Sequence, residues 1–107
     1  MSTPNNPFRA LGDETRREIL RLLRKGPLTS GQIAERFDSS WPTISRHLAV
    51  LRAADLVTAE RHRQEIRYEL NTSVFQDLIH LLMEWAGPPS VAARRTATPR
   101  RSRKQEV

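Results

Sequence analysis

The stretch TSGQIAERFDSSWPTISRHLAVLRAA, residues 29–54, decides the fold. Thr29 followed three positions later by Gln32 is a capping box, and Ile33, Ala34 and Phe37 recur behind it at helical spacing, which predicts a short helix. Asp38, Ser39 and Ser40 supply the turn. Pro42 is tolerated only in the first turn of a helix, and Ile44, Leu48 and Leu51 share one face after it, which predicts a second helix from about Trp41 to Ala54. Two short helices therefore flank a tight turn.

Towards the N-terminus, residues 7–11 suit a short helix ending at Gly12. Asp13 caps the next, from Glu14 to Lys25, with Ile19, Leu20, Leu22 and Leu23 as its buried stripe and Gly26-Pro27 as its stop. Towards the C-terminus the period changes to two. Val57 to Arg61 is β-compatible, and Glu65 to Leu70 alternates with Ile66, Tyr68 and Leu70 on one side, which predicts a hairpin. Its tip, Arg61-His62-Arg63-Gln64, has no glycine, so a loop longer than two residues is expected. A last helix is expected from Ser73, paired with Gln76 in a second capping box, to Ala86. Its apolar residues, Val74, Phe75, Leu78, Ile79, Leu81, Leu82, Met83, Trp85 and Ala86, exceed one stripe. A chain this small has too little core to cover them, so part of this helix is expected to meet another subunit.

Composition narrows the function. The chain has 107 residues, 37% hydrophobic, enough for one small domain. Zero cysteines exclude disulfides, thiolate metal sites and Cys nucleophiles, and suit the reducing cytoplasm. The four glycines, at 12, 26, 31 and 87, are too scattered for a phosphate-cradling loop. Met1 to Phe8 is polar, and the longest run of large apolar residues is Leu81-Leu82-Met83, so neither a signal peptide nor a membrane span is expected. His47, His62 and His80 fit no Ser-His-Asp arrangement, and no enzyme is expected.

The net charge of +6 is uneven. Residues 88–107 carry Arg94, Arg95, Arg100, Arg101, Arg103 and Lys104 against Glu106, which is +5 and leaves +1 for residues 1–87. The chain therefore reads as a flexible N-terminus over residues 1–6, a domain over 7–87 and a basic, disordered tail over 88–107. The tail is either a phosphate attractor acting through counterion release or a solubilising extension. Within the domain the signal is local. From Ser39 to Ala54 there is no acid, although residues 1–87 hold eleven. Opposite Ile44, Leu48 and Leu51 lie Thr43, Ser45, Arg46 and Ala49, small or hydrogen-bonding groups suited to base edges. His47 lies beside the apolar stripe, and Trp41 is expected to pack at the helix start. The hairpin adds Arg61, His62, Arg63 and Arg67, placed for phosphate or minor-groove contact.

The fold class that results is mainly α with a small β-hairpin, a winged helix-turn-helix domain binding double-stranded DNA. The candidate DNA-binding residues are Ser39, Ser40, Thr43, Ser45, Arg46, His47, Arg61, Arg63 and Arg67. The rival class is a winged-helix architectural or protein-interaction module whose DNA affinity is nonspecific and comes from the tail.

Four segments carry a resemblance: FRALGDETRREIL from residue 8, LTSGQIAERF from 28, PTISRHLAVLRAADLV from 42 and YELNTSVFQDL from 68. They resemble the ArsR-type repressors, in particular the SdpR-like autorepressor branch, over residues 7–86. The resemblance implies a cytoplasmic, homodimeric transcriptional repressor on a palindromic operator, autoregulatory, with the fourth helix in the major groove. It implies a dimer through the first and last helices, giving Phe8, Leu11, Phe75, Leu78, Leu82 and Trp85 as interface candidates. The branch often has Pro where this chain has Glu14, and Gly near Asp38 and near Arg63 or Gln64. No cofactor and no metal are expected: the Cys-x-Cys site of metal-sensing relatives is impossible here, and Asp77, His80 and Glu84 share a helical face without matching the Asp-x-His pairing.

Overall fold

The structure, a computed structural model, describes residues 6–89. Its elements are α1 (Pro7–Ala10), α2 (Glu14–Leu23), β1 (Leu28–Thr29), α3 (Ser30–Ala34), α4 (Trp41–Ala53), β2 (Val57–His62), β3 (Glu65–Leu70) and α5 (Thr72–Ala86). Contacts group the chain into two units, one through Phe75 and one from Gln76. The expected flexible N-terminus, apart from Asn6, and the expected disordered tail from Ser90 onward lie outside the described residues. No helix among the described residues is long and apolar enough to cross a membrane.

The first unit is built around the predicted apolar faces. Ile19 from α2, Ile33 from α3, Ile44 and Leu51 from α4, and Leu56 after α4 are fully buried, with Ala10, Leu20, Leu23, Leu48, Ala54, Val57 and Tyr68 completing the core. Leu22, expected in the stripe, is half-buried. The starts of α1 to α4 are each satisfied by a side chain, because the first turn leaves backbone N–H groups without partners. Asn6 accepts from the N–H groups of Phe8 and Arg9, and Asp13 Oδ2 accepts from Arg16 N–H at 3.1 Å. The capping box forms as predicted, with Gln32 N–H on Thr29 Oγ1 at 3.2 Å and Thr29 N–H on Gln32 Oε1 at 2.8 Å. α2 ends at Leu23 rather than Lys25. Its last turn tightens, with the N–H groups of Lys25 and Gly26 reaching back three residues to Leu22 and Leu23, and Gly26 then takes a φ of 143°.

The sheet is antiparallel in the order β1-β3-β2. Its third strand, β1, is not among the elements the sequence predicts: Leu28 pairs with Tyr68 and Thr29 with Arg67. The expected longer loop is corrected. His62 pairs with Glu65, so the turn has only Arg63 and Gln64. Arg63 stands at φ 60°, and Gln64 is not among the positive-φ residues, the sign pattern of a II′ turn, here made without glycine. Along β3 the burial alternates as predicted, with Ile66, Tyr68 and Leu70 inward and Glu65, Arg67 and Glu69 outward.

α5 starts one residue before the expected cap. The N–H groups of Val74 and Phe75 bond to the Asn71 carbonyl, which places Ser73 inside the first turn rather than at the cap. None of the helix's residues is buried, and Ile79 and Leu82 are 53% and 46% exposed.

Candidate nucleic-acid interface

α4 presents a continuous polar face because its apolar residues are spent on the core. Ser45, Arg46 and Ala49 are exposed and Thr43 is half-exposed, opposite the buried Ile44, Leu48 and Leu51. At the helix start Ser39 and Ser40 are exposed, and Ser40 is the N-cap. Its Oγ accepts from Thr43 N–H at 3.4 Å and lies 3.0 Å from Thr43 Oγ1, so two of the predicted contact residues also order the helix entrance. Trp41 departs from expectation. It is 51% exposed rather than packed, because Pro42 and the cap fix the first turn with the indole outside the core.

The wing gathers the other predicted cations. Arg61, His62, Arg63, Gln64, Glu65 and Arg67 line one open depression at the end of the hairpin. The charge there is not purely positive. Glu60 stands opposite Arg67 in the β2–β3 register, and its Oε1 lies 3.5 Å from His62 Nε2. Arg61 and Arg63 therefore form the more basic end of the wing.

His47 sits beside the apolar stripe as expected, its side chain 18% exposed. Its partner was not visible in the sequence. Arg16 on α2 places Nη1 3.2 Å from His47 Nδ1, donates Nε–H to the Ala10 carbonyl at 2.7 Å and Nη2–H to the Arg9 carbonyl at 3.2 Å. A guanidinium has no acceptor, so in this bond Nδ1 is the acceptor, which assigns the hydrogen of a neutral ring to Nε2. Asp13 Oδ2, at 3.9 Å from the same nitrogen, is beyond hydrogen-bond reach. The Arg16 N–H bond holds the Asp13 carboxyl below its ordinary pKa of 3.8 against the opposing effect of partial burial. Arg16, Thr43, Arg46, His47 and Val50 line a small cavity of about 160 Å³ between α2 and α4.

Of the dimer candidates, Phe8, Leu82 and Trp85 are exposed and Leu11, Phe75 and Leu78 half-exposed. Ile79, exposed more than Leu82, was absent from that set although the apolar excess of the helix included it. Asp77, His80 and Glu84 are exposed on α5, and among the described residues no three His, Asp or Glu side chains gather as a metal site.

Comparison with known proteins agrees with this geometry. The family model described as bacterial regulatory protein, arsR family, matches residues 13–59, from the cap of α2 into β2. The transcriptional repressor SdpR of Bacillus subtilis (strain 168) is 47% identical over 81 residues, covering 76% of this chain and 90% of that protein. The arsenical resistance operon repressor of Staphylococcus aureus is 36% identical over 75 residues, 70% of this chain and 72% of the relative. Among solved structures, an ArsR-like transcriptional regulator from Rhodococcus sp. RHA1 superposes with a TM-score of 0.68 at 32% identity, covering 84% of this chain and 82% of that one.

Proposed function

The chain belongs to the arsR family of bacterial regulatory proteins, a family of DNA-binding transcription regulators and not of enzymes, and from that premise we propose a sequence-specific repressor acting as a homodimer on a palindromic operator. The observation that carries the proposal is the pairing of an exposed, acid-free face on α4 with a wing ending in Arg61 and Arg63. Ser45, Arg46 and Ala49 can approach base edges, since none of them carries the negative charge a duplex repels. The wing cations and the serines at the start of α4 meet backbone phosphates and set the register.

The second copy is proposed from α5. Ile79, Leu82 and Met83 line an apolar depression with Ala86, Gly87, Pro88 and Pro89, and Ile79, Leu82 and Trp85 are large apolar side chains left exposed on one copy. This helix is proposed to meet the second copy, Phe8 and Leu11 of α1 being further interface candidates by the resemblance, and a twofold is expected to put two α4 helices about 34 Å apart, one turn of the duplex. Repression follows from occupying a promoter and excluding polymerase, and the absence of cysteines removes thiolate sensing.

Selection from a randomised duplex pool with the full chain tests this reading. An imperfect palindrome with half-sites about 10 base pairs apart is the expected product. A pool that never converges, or converges on a lone asymmetric site, contradicts it.

A further inference from the structure

Arg16 lies on neither the polar face of α4 nor the wing, yet its guanidinium joins three elements. Two of its nitrogens hold the carbonyls of Arg9 and Ala10, at the end of α1, while Nη1 bonds His47 on α4. Three acceptors taken by one planar fork match what arginine does and lysine cannot. The cavity beside this bond is lined by two guanidiniums, an imidazole, a hydroxyl and a valine, with no carboxylate among the lining residues. Those are the donors that bind a phosphate diester, and His47 lies next in sequence to Arg46 on the helix proposed to enter the groove.

The bond has a chemical consequence. An unconstrained imidazole exchanges between two neutral tautomers, only one of which carries a hydrogen on the side of the ring away from Arg16. We propose that Arg16 is a positioning residue for DNA recognition: by donating to His47 Nδ1 it holds the ring as the Nε2–H donor, so that His47 and Arg46 together bind one backbone phosphate of the operator. The inference rests on the DNA-binding reading above and adds to it a residue outside the helix-turn-helix. Because Arg16 also grips the end of α1, it ties the orientation of the recognition helix to a helix of the proposed dimer interface.

A double-mutant cycle on the full chain tests it, with the duplex recovered by selection as the probe. Arg16→Gln and His47→Ala are each expected to weaken binding about tenfold, and the double variant no more than about twofold beyond His47→Ala. Arg16→Lys keeps the charge but not the fork and is expected to behave like Arg16→Gln. His47→Gln offers an amide N–H in place of Nε2–H and is expected to restore most of the affinity and to be indifferent to Arg16→Gln. The imidazole ¹⁵N spectrum of the wild type, taken above the histidine titration, should show Nε2 protonated and Nδ1 bare, independently of how well any variant folds. Additive losses, or a ring protonated on Nδ1, overturn the proposal. If the wild type selects no duplex, the DNA-binding reading itself fails and the phosphate contact with it; additive losses with a wild type that binds selectively remove the role of Arg16 alone.

Discussion

Leu56 donates its backbone N–H to the carbonyl of Leu51 at 3.0 Å, while Asp55 between them donates to Arg52 at 3.0 Å. This crossed pair is a Schellman closure of α4, and both leucine side chains are fully buried against the same core. It requires a left-handed residue at position 55, where Asp55 stands at φ 62° in place of the usual glycine. The closure matters to the proposed function because it fixes where α4, the proposed recognition helix, ends and β2 begins.

Asp tolerates that backbone better than a β-branched residue does. Asp55→Val is expected to cost about 1–2 kcal/mol in urea denaturation, and Asp55→Gly to be neutral or to add up to about 0.5 kcal/mol. Equal stability of the two variants would show that position 55 is not held left-handed in solution.

The cap at Asp13 makes a pH prediction. Asp13→Ala should lose about 1 kcal/mol at pH 7 and Asp13→Asn much less, since the amide oxygen still accepts from Arg16 N–H. The carboxyl is held below its ordinary value in the folded chain, so its contribution is present above about pH 4 and disappears as the pH falls through the folded value. Denaturation at pH 7 and pH 3 should therefore show the gap between wild type and Asp13→Ala narrowing in acid. A gap that widens in acid contradicts the cap.

At the wing tip, Arg63 combines a positive φ with a proposed phosphate contact. Arg63→Gly should leave stability unchanged or slightly raised, and should lower the slope of log affinity against log salt by about 1, as should Arg61→Ala. Discrimination between duplexes should survive both changes. A slope that stays the same would place the wing away from the backbone.

The proposed dimer makes its own demand. Sedimentation of the full chain should give about twice the 12.3 kDa of one copy, and Ile79→Asp or Leu82→Asp should return it to the monomer mass with the circular dichroism of the first unit retained. A wild type that sediments as a monomer at micromolar concentration would remove the twofold.

What the sequence reveals, and what it hides, divides along physical lines. Thr29 with Gln32, and Pro42 ahead of Ile44, Leu48 and Leu51, are signals within one helical turn or two, and both helices start where those residues predict, although α3 ends at Ala34 and the chain reaches Phe37 through three-residue turns instead of helix. β1 is two residues long and exists only through pairing with Tyr68 and Arg67 some forty positions away, so no local pattern marks it. The hairpin turn is hidden in the sequence because a two-residue turn ordinarily advertises itself with glycine, whereas Arg63 takes the positive φ without one. Arg16 belongs to a run of charges, DETRRE, that reads as a solvated helix face. Only the packing of α2 on α4 brings it to His47. The polar side of α4 was visible because an acid-free stretch is a property of the sequence itself.

The most direct test of the central claim, that the exposed face of α4 reads base sequence, is the ratio of dissociation constants for the selected duplex and its scrambled counterpart, measured by fluorescence anisotropy at two salt concentrations. The wild type and a chain ending at Gly87 are each predicted to prefer the selected duplex by on the order of 10³-fold or more, with Arg46→Ala losing about 10- to 100-fold of that preference. Equal binding to both duplexes, steeply lost with salt and abolished by removing residues 88–107, would mean that the basic segment alone holds DNA and that α4 reads nothing.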